Sequence, residues 1–150
     1  MKINFHWNNE KAIDEVDLIS HPHNKEQLLK LKASLEQEKT LLVTHPSNNR
    51  KQLIPISQIE AITSLGHLTK VLTIENEFFF LNNRLKELND LEDNGLYQIN
   101  QSTLINLKEI KLFQTEKHAR LELITKTNQH YLVSRHYAKT IKERLLCTNN

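Results

Sequence analysis

The sequence LYQINQSTLINLKEI, residues 96–110, decides the prediction of the fold. Its apolar side chains can anchor two short elements in a core, and these are Leu96, Ile99, Leu104, Ile105, Leu107 and Ile110. Between them lie Asn100, Gln101 and Ser102, whose uncharged side chains can both donate and accept hydrogen bonds. The pattern predicts a strand, a polar corner and one turn of helix. Such a corner faces water or a partner.

A second polar corner, Ser134-Arg135-His136, follows a strand-like run further along the chain. It lies in a basic region, because residues 117–150 contain seven Lys or Arg and two Glu while the whole chain has a net charge of only +2. This distribution indicates one electropositive face. A solvated helix face has the same composition, so a function depends on whether the two corners share one surface.

The composition indicates a soluble globular protein, with 38% hydrophobic and 25% charged residues among 150. This length is enough for one domain, or for a domain with a small annex. No apolar run approaches the roughly 18 residues of a membrane span, and the first residues lack the pattern of a signal peptide. The single cysteine, Cys147, allows no internal disulfide. We therefore expect a cytoplasmic protein.

Residues 1–50 are predicted to form a small β-β-α-β annex that serves dimerisation or partner binding. Alternating apolar residues predict strands at residues 2–7 and 16–20, and a short apolar run predicts a third strand at residues 41–45. Leucines at helical spacing predict a helix over residues 24–38, opened by a capping box of Asn24 and Gln27. Three histidines near these elements, His21, His23 and His45, lack other ligands at metal spacing. We expect turns there, with no metal and no cofactor.

Residues 51–150 predict a mainly antiparallel β domain with two short helices. One helix covers residues 84–92 and ends at Gly95. The other is amphipathic through Tyr137, Ile141 and Leu145. A hairpin turns at Asn76, a residue that tolerates a left-handed backbone. The predicted strands are residues 53–63, 70–75, 78–81, 109–113, 120–125 and 130–134. The fold class is therefore mainly β with α (α+β).

Several segments in this order resemble a LytTR-type DNA-binding domain. PISQIEAI at residues 55–62 is similar to the first strand of that family, and LKEL at residues 85–88 is similar to its helix. YQINQSTLINLKEI at residues 97–110 is similar to the motif F-x-I-x-x-S-x-L-V-N-L-x-x-I. VSRHYAKTIK at residues 133–142 is similar to V-S-R-x-Y-x-x-x-[IL]-K. The resemblance extends over residues 53–145.

The resemblance implies elongated antiparallel sheets of LytTR type that bind duplex DNA through loops in the major grooves. It implies a bacterial transcription regulator of the response-regulator kind. Because residues 1–50 are too short for a receiver domain, we expect a stand-alone regulator without one. Such a regulator binds promoter repeats as a homodimer, at least on DNA. Some stand-alone regulators of this kind are restrained by an inhibitory membrane protein, which we expect here as a partner. The DNA-binding residues that carry over are His67, Lys70, Asn100, Gln101, Ser102, Arg135, His136 and Lys139, and the charge of Lys108 adds it as a candidate phosphate contact.

The chemistry of these side chains agrees with that role. Arg135 can form two hydrogen bonds to guanine O6 and N7, while Asn100 and Gln101 can pair with adenine. Ser102 can donate to a phosphate and cap the helical turn that follows it. Lysines such as Lys139 contact phosphates without reading sequence. Many relatives have a basic residue at the position of Gln101, so the target sequence does not carry over.

Two other classes of function compete with DNA binding. An enzyme is disfavoured because the sequence has no phosphate-binding loop, dinucleotide fingerprint, HExxH or CxxC motif. A protein–protein interaction module without DNA binding is the stronger alternative, since sheet edges and the annex would suit a partner equally well. At single positions, Arg135 could pair with Glu143 or Glu122, and His67 could cap a hairpin. Asn106 is predicted to hold a turn through its side chain.

Overall fold

The computed structural model describes residues 1–13, 15–36 and 39–148. Contacts along the chain divide it into two compact units, Met1–Gln37 and Glu38–Asn150. Helix α1, Lys25–Glu36, lies in the first unit. The ten strands found among the described residues and helix α2, Arg135–Thr148, lie in the second.

Helix α1 begins differently from the prediction. A 3₁₀ turn, Pro22–Asn24, precedes it, and the Nδ1 atom of His21 accepts a hydrogen bond from the backbone N–H of His23 at 3.1 Å. Pro22 fits this start because its ring fixes a helical φ and it has no N–H to satisfy. The predicted capping box at Asn24 is therefore wrong. The Nδ2 atom of Asn24 instead donates to Ser20 Oγ at 2.9 Å.

The two predicted strands at residues 2–7 and 16–20 are also wrong. Residues 1–13 and 15–36 contain no strand, and Phe5 and Trp7 are 75% and 90% exposed. Alternation produces a strand only where a neighbouring strand completes the hydrogen bonds and one face is covered. The third predicted strand does form, as β1 (Thr40–Thr44), but it pairs within the second unit. A β-β-α-β annex is thus absent from the described residues.

The second unit is built on a seven-stranded antiparallel sheet with the order β2-β1-β5-β4-β3-β7-β6. The single strand predicted over residues 53–63 is wrong, because Pro55 ends β2 and a 3₁₀ turn, Ile56–Gln58, separates it from β3. Proline fixes φ and offers no N–H to a strand ladder. The bounds are β1 Thr40–Thr44, β2 Lys51–Pro55, β3 Ile59–Leu65, β4 Leu68–Thr73, β5 Phe78–Leu81, β6 Leu96–Asn100 and β7 Thr103–Asn106.

Residues 96–110 form β6, a tight turn, β7 and a 3₁₀ turn, Leu107–Glu109. The predicted step from the polar corner directly into a helical turn is wrong, because β7 lies between them. All four residues of β7 are buried, since β3 and β6 flank it and both of its faces are covered. Burial of all four residues, including the polar Thr103 and Asn106, removes the alternation that would mark a half-exposed strand.

The side chain of Asn106, not that of Ser102, caps the 3₁₀ turn. Its Oδ1 atom accepts from the Lys108 N–H at 3.1 Å, and its Nδ2 atom donates to the Ile59 carbonyl at 2.9 Å. The predicted turn-holding role of Asn106 is confirmed, and the predicted helix-capping role of Ser102 is wrong. These two hydrogen bonds to backbone groups offset the cost of burying the amide.

A second antiparallel sheet has the order β10-β9-β8, with β8 Ile110–Thr115, β9 Leu121–Thr125 and β10 His130–Val133. One core lies between the large sheet and a 3₁₀ helix, Leu85–Asn94, which ends at Gly95 with φ 95°. The other core joins β3, β6 and β7 to β9, β10 and α2. The prediction of antiparallel sheets with short helices is confirmed.

Candidate nucleic-acid interface

The turn after β3 and the turn after β6 lie at the same end of the large sheet. Thr63 of β3 pairs with Lys70 of β4 on one side and with Thr103 of β7 on the other. Strand β6 continues this row, because Asn100 pairs with Thr103. A hydrogen bond of 2.8 Å from the Ser64 N–H to the Ser102 carbonyl joins the two turns directly. The sheet register therefore places His67 and residues 100–102 together at this end of the strands, and we call this loop-bearing end the edge.

The side chain of Asn100 organises the corner of residues 100–102. Its Oδ1 atom accepts from the N–H of Ser102 at 2.9 Å and from the hydroxyl of Ser102 at 3.0 Å. Its Nδ2 atom donates to the carbonyl of Leu132 in β10 at 3.1 Å. Gln101 is exposed at the tip of the turn. Asn100 is thus engaged in holding the corner, and Gln101 presents its amide outward.

The start of α2 is fastened to the same corner. The Ser134 N–H donates to the carbonyl of Ile99 at 2.9 Å. The carbonyl of Ser134 accepts hydrogen bonds from the N–H groups of Tyr137 and Ala138, both at 3.0 Å. These bonds place the first helical residue, Arg135, directly beyond the end of β6. Downstream of Arg135, the exposed side chains of the first helical turns include His136 and Lys139.

Arg135 leads to a basic turn that the sequence interpretation did not assign. Its Nε atom donates to the carbonyl of His118 at 3.3 Å, in the turn between β8 and β9. This turn carries Lys117, His118 and Arg120, all exposed. His118 and Ala119 have φ values of 63° and 60°, which residues with a Cβ rarely adopt. Two basic residues between strands were the available signal, but their proximity to Arg135 depends on tertiary packing.

Of the two remaining predicted lysines, Lys70 lies in the row of residues that reaches the corner, and Lys108 lies elsewhere. Lys108 is exposed in the 3₁₀ turn at the far end of β7, which at the rise of a strand is about 15 Å from the corner. The Nζ atom of Lys70 lies 4.6 Å from the centroid of the Phe78 ring, a cation–π distance. The structure thus groups His67, residues 100–102 and residues 135–139, and leaves Lys108 apart.

Glu122, one of the two acidic residues considered as a partner for Arg135, is bonded to a different residue. Its Oε1 atom lies 2.7 Å from His130 Nδ1 on the exposed side of β9 and β10. The hydrogen bond from His130 is the main cause that lowers the pKa of Glu122. The guanidinium of Arg135 bonds to a neutral carbonyl instead, so its charge stays available to an anion.

Near the start of β3, at the end of the strand away from the corner, a buried carboxylate connects β3 to β10. Glu60 is 0% exposed. It accepts a hydrogen bond from the Thr127 hydroxyl on Oε1 and one from the Tyr131 hydroxyl on Oε2 at 3.2 Å. The pKa of Tyr131 is raised well above the usual value of 10.0. Burial of the hydroxyl is the largest cause, and the negative charge of Glu60 and this hydrogen bond contribute less.

The raised pKa of Tyr131 predicts a loss of stability at alkaline pH. The unfolded chain releases the tyrosine proton near the usual pKa while the folded chain retains it. The contribution of Tyr131 to the free energy of unfolding is therefore fully present below about pH 10 and decreases above it. Urea unfolding at about pH 9 and about pH 11 measures this loss. The Tyr131→Phe variant should show a smaller loss over the same interval. Equal losses in parent and variant would contradict this explanation.

The structure describes no group of three His, Cys, Asp or Glu residues that could hold a metal ion. Of the two histidines before α1, His21 caps the 3₁₀ turn there. His45 lies beside Ser47 and the ring of Phe79. Within the described residues, no helix has both the length and the hydropathy needed to cross a bilayer.

The fold and this edge define a class of protein, a small antiparallel β domain that presents amide and basic side chains on turns. Residues 49–146 match the LytTr DNA-binding domain family, and the chain belongs to that family. The chain therefore contains a DNA-binding domain, from a family of DNA-binding domains and not of enzymes. The resemblance seen in the sequence is confirmed.

One solved structure with a similar fold is the LytTr DNA-binding domain of a protein assigned as a methyl-accepting/DNA response regulator from Bacillus cereus. The TM-score is 0.64 at 17% sequence identity, and the match covers 73% of this chain and 98% of that one. No curated protein matches the chain.

Proposed function

We propose that the chain is a sequence-specific transcription regulator that reads the major grooves of duplex DNA through loops. The observation that carries this proposal is the hydrogen-bonded grouping of three segments on one edge. These are the β3–β4 turn with His67, the corner of residues 100–102, and the start of α2 with Arg135. A rigid edge of this kind can hold several side chains in register with base edges, which specific recognition requires.

The side chains at the edge suit different tasks. Arg135 donates only its Nε–H to the His118 carbonyl. Its remaining N–H groups can therefore pair with guanine O6 and N7. Gln101 is the exposed amide and is the better candidate than Asn100 to read adenine. His136 and Lys139 are exposed and can contact phosphates, and Ser102 could donate to a phosphate only by giving up its hydroxyl bond to Asn100.

The turn between β8 and β9 extends this surface. Lys117 and Arg120 flank His118, whose carbonyl is bonded to Arg135. Both are exposed cations on the same side as the start of α2, so we include them as phosphate contacts. Lys108 and Lys70 are secondary candidates, because one lies at the far end of β7 and the other is directed over Phe78.

The salt dependence of binding tests this function. Retardation of a short promoter fragment by the full chain is expected to weaken steeply as salt rises, because each neutralised phosphate contributes a slope of about −0.9 in log K against log salt. The measurement is a titration at several salt concentrations, and the double variant Lys117→Ala with Arg120→Ala should flatten the slope. A flat response for the parent chain would exclude binding through phosphates.

A second candidate, a protein–protein interaction module without DNA binding, is favoured by one exposed sheet face. Leu42 and Leu53 lie opposite each other in β1 and β2 and are 57% and 63% exposed. Through the pairing of Thr44 with Phe80, this face continues to Phe78, which is 43% exposed. Contiguous apolar surface of this kind commonly binds a protein partner.

The partners expected for a regulator remain part of the proposal. We propose that two copies bind promoter repeats in the cytoplasm and that an inhibitory membrane protein restrains them. Residues 1–50 would then serve dimerisation or partner binding. Purification of the full chain from membranes solubilised in mild detergent tests this partner. Recovery of the chain without any membrane protein would count against it.

A further inference from the structure

The carboxylate of Glu60 has no place in the proposed DNA surface, yet it is fully buried in β3. The pairing of β3 with β4 shifts register between Ile59 and Ala61, so Glu60 lies at a β-bulge. A bulge turns a side chain away from the direction that regular pleating would give it. Here the side chain meets two hydroxyl groups of the second sheet, those of Thr127 and Tyr131.

These two hydroxyls fix the segment that leads to Arg135. Thr127 lies in the turn before β10, and its hydroxyl is also 3.0 Å from that of Thr125. Tyr131 lies within β10, one residue before Leu132, whose carbonyl is bonded to Asn100. Two residues further, the Ser134 N–H is bonded to Ile99. Strand β10 is therefore held at Glu60 and at the corner, and Arg135 follows its end.

Stability alone does not account for a carboxylate at this position. Burying a charge is costly, and apolar side chains of similar volume usually stabilise a core at least as well. What a carboxylate adds is direction, because its two oxygens accept hydrogen bonds only from donors in defined places. The two sheets are thereby held at one relative position.

We propose that Glu60 is a positioning residue for DNA recognition. By holding Thr127 and Tyr131 it fixes β10, and through β10 it sets where Arg135 lies relative to the corner of residues 100–102. This inference rests on the proposed role of Arg135 in reading DNA. It adds a residue that touches no DNA and still affects which sequence is bound.

A double-mutant cycle on the full chain tests this role. The cognate duplex comes from selection out of random DNA, and a scrambled duplex serves as the reference. Glu60→Gln is expected to weaken cognate binding about ten-fold and to leave scrambled binding within about two-fold, because only the placement of Arg135 changes. In the Arg135→Ala background, Glu60→Gln should change cognate binding by less than about two-fold.

The controls separate positioning from general loss of structure. Glu122→Gln removes a carboxylate from the exposed side of β9 and should leave both affinities unchanged. Circular dichroism reports whether each variant folds. If Glu60→Gln does not fold, Tyr131→Phe removes one donor of the same network and is expected to give the same pattern at smaller amplitude.

The possible outcomes distinguish this inference from the proposed function. Equal losses from Glu60→Gln with and without Arg135 would overturn the positioning role alone, and so would equal losses on cognate and scrambled DNA. If Arg135→Ala binds the cognate duplex as tightly as the parent, the assignment of Arg135 fails and the positioning role fails with it. If selection from random DNA recovers no preferred duplex, sequence-specific binding itself fails.

Discussion

Replacing Arg135 by alanine is expected to weaken binding to the cognate site by about 1–3 kcal/mol and to relax the preference at one base position. The guanidinium stands at the first residue of α2, and one hydrogen bond to the His118 carbonyl orients it. An oriented planar fork loses little freedom when it pairs with guanine. Binding of the variant to all single-base changes of the cognate site measures both effects.

Lys139 provides the matched control for this experiment. It is an exposed cation four residues further along α2, about one helical turn away. Lys139→Ala should weaken all sequences about equally and reduce the salt slope by about 0.9. An Arg135→Ala variant that binds every sequence equally more weakly, as Lys139→Ala does, would show that Arg135 contacts only phosphate.

The local elements of the fold were predictable where short-range chemistry decides them. Asn76 was expected to adopt a left-handed conformation between β4 and β5, and its φ is 66°. Gly95 was expected to end a helix, and it does so with a positive φ. The amide of Asn106 was expected to hold a turn, and it caps the 3₁₀ turn after β7. In each case one side chain or one φ angle is enough to determine the local structure.

The errors occur where packing between distant segments decides the outcome. Strand β7 was predicted to be part of a helical turn because its four buried residues, Thr103–Asn106, show no alternation, and only its position between β3 and β6 explains their burial. Residues 2–7 show the opposite error, since they alternate like a strand but have no strand beside them in the described residues. The period of a sequence gives the faces of an element, and the neighbours determine whether it forms.

The candidate site shows the same division. Sequence motifs located Asn100, Gln101 and Arg135 one by one, and the belief that they share a surface came from the resemblance. The basic turn at Lys117 and Arg120 was missed because it joins the site only through the contact of Arg135 with His118. Glu60 lies within the strand motif of residues 55–62, and that motif does not predict its burial at a bulge.

Replacing Ile105 by alanine is expected to lower the free energy of unfolding by about 2–5 kcal/mol. Ile105 is 0% exposed in β7 and lies opposite both Ala61 of β3 and Tyr97 of β6. It belongs to the core that also contains β9, β10 and α2, so the cavity would open where the two sheets meet. Urea unfolding of parent and variant measures the change.

A matched truncation of an exposed residue shows whether the loss arises from the core. Leu42 lies in β1 of the same sheet but is 57% exposed, so Leu42→Ala should change stability by no more than about 0.5 kcal/mol. Equal losses in the two variants would place Ile105 outside the core. With the expected difference, DNA binding by Ile105→Ala should persist at low temperature and fail on warming before that of the parent, because the corner and Arg135 are held together only while β7 is packed.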